Sequence, residues 1–124
     1  MRKQRKSLRP TLSIQGRRNT INIGIDVIRL LGEPTHVCIM KNIHNFSLAV
    51  CPCEADEIMS FQVPDHFLED SNAKFCIHSK QFVHQIMKEC DLDRDKTYLF
   101  HGEWMPEKNA VIFMLKEQVG GRIV

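Results

Sequence analysis

The Cys51-Pro52-Cys53 triplet sets two thiols one residue apart, and thiolates are both nucleophiles and zinc ligands. His44 or Cys38 could complete a ligand set. Zinc knuckles, however, space their cysteines by about two to four residues and use a second pair, which this chain lacks. Cys76 and His78 stand two apart in an extended stretch, so they share one face of a strand. That is the arrangement of a thiol–imidazole catalytic pair, but no oxyanion-stabilising element accompanies it. The remaining histidines, His36, His44, His66, His84 and His101, form no HExxH or related ligand spacing. Asp91, Asp93 and Asp95 lack the central glycine and closing glutamate of a calcium loop. Glu54, Asp56 and Glu57 read as a solvated loop. No glycine-rich phosphate loop is present, and Gly120-Gly121 lies in the terminal tail. The expectation is a protein that is not an enzyme and uses no metal and no cofactor.

The chemistry that does concentrate is cationic. Residues 1–18 carry Arg2, Lys3, Arg5, Lys6, Arg9, Arg17 and Arg18 and no acidic side chain. The chain has 17 basic and 15 acidic residues, so residues 19–124 hold 10 against 15, a net −5. A cationic arm on an acidic body suits a polyanion such as nucleic acid, or serves as a solubilising tail. No apolar run approaches the ~18 residues of a membrane span, and the basic N-terminus is not followed by the apolar stretch of a secretory signal. With an odd number of cysteines, five, the expectation is reduced thiols and a cytoplasmic location.

These groups must be held by elements the pattern foretells. Residues 1–16, with Pro10 and Gly16, read as a flexible basic arm. Ile21 and Ile23 alternate as a strand; Val27, Ile28 and Leu31 form a helical face stopped by Gly32 and Pro34. Val37 and Ile39, then Phe46, Leu48 and Val50, alternate as a hairpin ending at Pro52. A short strand around Ile58, Phe61 and Val63 precedes a loop at 64–73. The order then repeats. Phe75 and Ile77 alternate; Ser79 caps a helix whose apolar face is Phe82, Val83, Ile86 and Met87. Tyr98 and Phe100 alternate, Gly102 to Asn109 turn, and Val111, Phe113 and Leu115 alternate. By pattern, Ile21 matches Phe75, Leu31 matches Ile86, Val37 matches Tyr98 and Leu48 matches Val111. The offset grows from 54 to 61 to 63, implying an internal duplication with insertions before and inside the second hairpin. The expected core is Ile23, Val27, Leu31, Ile39 and Val50, with Ile77, Val83, Ile86, Phe100 and Phe113.

Residues 17–52, from Arg17-Arg18 through the Leu31-Gly32 helix end to Pro52, resemble the SpoVT/AbrB-type swapped-hairpin domain, and the second half resembles it more weakly. Two such units in one chain are similar to MraZ-like proteins, although Asp26 and Arg29 stand three apart where that type has an Asp-x-x-x-Arg motif. The resemblance implies an α+β, β-rich fold: two strand-helix-hairpin units in a swapped-hairpin barrel with a pseudo-two-fold axis. Residues 1–16 would be the arm and 17–118 a single domain. Within it, 17–53 is the first half, 54–73 a connector and 74–118 the second half; 119–124 is a tail. It also implies a bacterial DNA-binding transcription regulator or antitoxin-like protein.

Two functions follow. In the first, duplex DNA is bound by Arg2, Lys3, Arg5, Lys6, Arg9, Arg17 and Arg18, extended by Lys41, Lys74 and Lys80, with phosphate neutralisation and base-edge contacts. In the second, the chain is a non-catalytic interaction adaptor that has lost DNA binding and meets a protein partner through the turn containing Trp104. Neither involves a membrane. The chain would be a monomer with pseudo-dimer architecture or a homodimer.

Overall fold

The computed structural model describes residues 10–69 and 74–118. The arm side chains Arg2 to Arg9 and the tail 119–124 lie outside them. In chain order the elements are β1 (Thr11–Gln15), β2 (Thr20–Ile23), α1 (Ile25–Leu30), β3 (His36–Asn42), β4 (Ser47–Pro52), β5 (Ser60–Gln62) and β6 (Phe75–His78). Then follow α2 (Lys80–Glu89), β7 (Thr97–His101), β8 (Glu103–Met105), a 3₁₀ turn (Pro106–Lys108), β9 (Ala110–Met114) and α3 (Leu115–Gln118). The protein is α+β and β-rich. A four-stranded sheet runs β6-β2-β1-β7 and a five-stranded sheet runs β5-β3-β4-β9-β8, all pairs antiparallel. The strand ladders form these two sheets and not a closed barrel. No helix among the described residues is long and apolar enough to cross a membrane.

The ten core positions expected from the pattern are all buried. The strand at Thr11–Gln15 corrects the expected arm. Leu12 and Ile14 are fully buried, and β1 pairs with both β2 and β7. Its alternation, Leu12 and Ile14 between Thr11, Ser13 and Gln15, is that of a half-buried strand. Pro10 sits just ahead of the strand, where it costs no ladder bond, and its carbonyl accepts from Gly102 N–H at 2.9 Å.

The two halves share their pairing registers. Ile21 faces Ile77 and Ile23 faces Phe75, so exchanging residues 54 apart maps the β2–β6 ladder onto itself. Leu48 faces Phe113 and Val50 faces Val111, and an exchange of 63 does the same for β4–β9. The pairs Asn22–Cys76 and Ala49–Ile112 sit at the two centres. The strands before them correspond as well: Leu12 of β1 faces Phe100, Phe61 of β5 faces Val37, and Val37 and Phe100 are again 63 apart. β5, the counterpart of β1 in these registers, lies inside the expected connector.

The same registers correct two alignments made by pattern. In the hairpins, Lys41 faces Leu48 and Trp104 faces Val111, so the offset is 63 on both strands and not 61 on one. Both turns are four residues long and close on a left-handed residue, Phe46 (φ 56) and Asn109 (φ 49). In the helices, Leu31 is the cap residue of α1 and Cys90 that of α2. Each is followed by a positive φ, at Gly32 and Asp91, and by matching bonds from Glu33 N–H to Ile28 and Leu92 N–H to Met87. Leu31 thus corresponds to Cys90, not Ile86, and α2 is longer by four residues, one turn.

Gly102 divides β7 from β8. A Cβ there would stand 2.6 Å from the Phe113 ring and 2.8 Å from Val111, so only glycine lets the chain pass from one sheet to the other this closely. Trp104 consequently lies in β8, partly buried against the core, and not in an exposed turn.

Candidate nucleic-acid interface

Alternation along the four-stranded sheet sends its polar residues outward: Thr11, Ser13 and Gln15 of β1, Thr20 and Asn22 of β2, Cys76 and His78 of β6. These line a groove of about 900 Å³. One wall is Phe67, Leu68 and Glu69 of the loop before β6; the other includes Ile25 and Arg29 of α1. Phe67 is buried and meets Phe75 edge-on with ring centroids 5.9 Å apart, which anchors the first wall. Thr20 Oγ1 donates to Gln15 Oε1 at 2.9 Å, so the buried hydroxyl is satisfied on the groove floor.

Three cations reach this groove from separate elements: Arg18 from the β1–β2 turn, Arg29 from α1 and Lys74 ahead of β6. All three are exposed, and none forms an ion pair among the described residues. The carboxylate on the wall, Glu69, is engaged by His66 at 2.9 Å; that hydrogen bond raises the imidazole pKa. The Asn22–Cys76 pair, the centre of the β2–β6 exchange, lies on the groove floor. By spacing alone Arg29 is half of an unmatched motif, and its place in the lining it shares with Arg18 is set by tertiary packing that no local spacing reveals.

The turn at 16–19 is tied to the second half. Gly16 N–H donates to Lys96, Ser79 N–H donates to Asn19 at 3.0 Å, and Arg17 Nε lies 3.8 Å from Asp95. Arg17 is therefore exposed but pairs with a carboxylate, while Arg18 beside it does not. Lys41 is taken up differently from the expectation: its ammonium meets Glu89 at 2.9 Å, joining β3 to α2, with both side chains largely covered. Lys80 is exposed at the start of α2, away from the groove lining.

The thiols are spread over several surfaces. Cys38 and Cys51 face each other across β3–β4. Burial, with Cys53 close by, pushes the Cys38 thiol up to about 12, and burial also raises Cys51 and Cys90. Cys76 is exposed in the groove, two residues from His78 on the same face. No group of three or more His, Cys, Asp or Glu side chains placed to hold a metal ion occurs among the described residues.

Comparison with protein-family models, with curated proteins and with solved structures gives no match for this chain.

Proposed function

We propose that this chain binds duplex DNA across the outer face of the four-stranded sheet, as a non-catalytic regulator of transcription or an antitoxin-like protein. The observation that carries the reading is the convergence of Arg18, Arg29 and Lys74, none in an ion pair among the described residues, on a groove floored by hydroxyl and amide side chains. Lysine and arginine neutralise phosphates and release counterions; Asn22, Gln15 and the arginines carry the donors that read base edges. The basic side chains at 2–9 precede β1 in the sequence and add to the positive charge of this part of the chain. The symmetric registers support internal duplication and a swapped-hairpin-type arrangement of the halves, with the groove centred on the exchange axis. A two-fold surface suits a site with two related half-sites.

The test is fluorescence anisotropy of labelled duplexes across a salt series. Binding should weaken steeply with salt, and Arg18→Ala, Arg29→Ala and Lys74→Ala should each flatten the slope by about one unit. Absence of salt-dependent binding at low ionic strength would sink the reading.

A second reading, a protein-interaction adaptor, rests on the opposite face. The middle of the five-stranded sheet's outward face carries Met40, Ala49, Ile112 and Met114, with Met40 56% exposed, beside polar residues such as Asn42 and Glu103. An apolar patch on an outer face marks a contact surface more often than a DNA site. If duplex binding fails, this face is where a partner would dock, in place of the turn near Trp104.

A further inference from the structure

Two departures from exact repetition meet at α2. The extra turn of α2 and the loop at 93–96 have no counterpart in the first half, where Glu33 leads to β3 within three residues. Together they build a cavity of about 830 Å³ that shares no lining residue with the groove. Lys80, His84 and Lys88 stand four apart on α2 and so form one stripe, with Gln81 and Gln85 beside them and Arg94 reaching in from the loop. No carboxylate lines it among the described residues. The acids flanking Arg94 are engaged elsewhere, Asp95 by Arg17 and Asp93 by Lys96, both at 3.8 Å.

We propose that this cavity is a binding site for a phosphorylated small molecule of roughly nucleotide size, with the phosphate held by Lys80, Lys88 and Arg94. Three permanent cations without an ion pair among the described residues match a di- or trianion, and guanidinium and ammonium donors make short charge-assisted bonds to phosphate oxygens. The volume falls within the ~300–1,000 Å³ of small-ligand sites. The glutamines supply neutral donors and acceptors for the organic portion. His84 lies among these cations. Its Nε2 is buried without a hydrogen-bond partner among the described residues, and desolvation, then Arg94 and Lys80, depress its pKa. A bound anion offsets the two cations and favours the imidazolium.

The probe is inorganic pyrophosphate added to the full chain, followed by proton NMR of the His84 ring over a pH titration and by calorimetry. Pyrophosphate should raise the His84 midpoint toward or above its ordinary value of 6.5, whereas chloride at matched ionic strength should not. Lys80→Gln with Arg94→Gln should weaken pyrophosphate binding more than tenfold. Arg18→Ala with Lys74→Ala, which disables the groove, should leave it unchanged, so failure of one site is distinguishable from failure of the other. A His84 midpoint that moves equally with chloride, or does not move, overturns the proposal. That measurement on the unmodified chain decides even if the double variant fails to fold.

Discussion

Arg18, Arg29 and Lys74 share a groove because a turn, a helix and a strand end happen to border the same sheet face. Their value as a DNA surface depends on what they are not doing. Lys41 and Arg17 show the contrast: one is spent on Glu89 and the other lies beside Asp95. Arg18→Ala should therefore cost on the order of 1–3 kcal/mol of duplex affinity if it reads a base edge, and less if it touches only phosphate. Lys41→Ala should leave duplex affinity unchanged and lower folding stability by about 1 kcal/mol, measured by urea denaturation. The thiols give a pH-dependent check. The Cys38 thiol is held near 12 in the folded chain against an ordinary 9.0, so the unfolded chain loses its proton first. Its contribution is complete below pH 9 and is lost as pH rises toward 12. Denaturation between pH 7 and 10.5 should show stability declining at the alkaline end, with a shallower decline in Cys38→Ala. At this scale the charged arm and Arg18 are legible in the sequence. The fates of Lys41 and Arg29 are not, because ion pairing and groove sharing are set by contacts between elements far apart in the chain.

Elements, by contrast, are written in the pattern, and their registers are not. A shift of two residues keeps every side chain of a strand on its face, and a shift of four keeps a helix face nearly aligned. Apolar alternation could thus match Val37 to Tyr98 and Leu31 to Ile86 while the ladders and caps pair them otherwise. β1 was hidden by its setting, a short alternation between Pro10 and Gly16 behind a run of charge. Its place at the centre of a sheet makes a sharp prediction. Deleting residues 1–9 should weaken duplex binding and leave the melting transition in place, whereas deleting 1–15 removes Leu12 and Ile14 and should abolish the cooperative transition. Ser79, whose hydroxyl accepts from Phe82 N–H at 3.3 Å, caps α2; Ser79→Ala should cost about 1 kcal/mol. Gly102→Ala forces a methyl into Phe113 and Val111 and should cost about 1–3 kcal/mol, read in the same denaturation assay.

The whole molecule has two unlike outer sheet faces, each crossed by a ladder whose register maps onto itself on exchange. The four-stranded face is polar and bordered by cations around Asn22–Cys76; the five-stranded face carries Met40, Ala49, Ile112 and Met114 at its middle. The longer α2 and the loop at 93–96 supply the cavity on α2. Cys76 makes the central claim directly measurable, since it is an exposed thiol on the groove floor at the centre of the β2–β6 register, whereas Cys51 and Cys53 lie away from the groove lining. The decisive measurement is the rate of Cys76 alkylation by iodoacetamide, site by site by mass spectrometry, with and without saturating duplex at low ionic strength. Binding in the groove should slow Cys76 several-fold, leave Cys51 and Cys53 unchanged, and release the protection as salt is raised. A Cys76 rate that stays the same under saturating duplex would contradict the account.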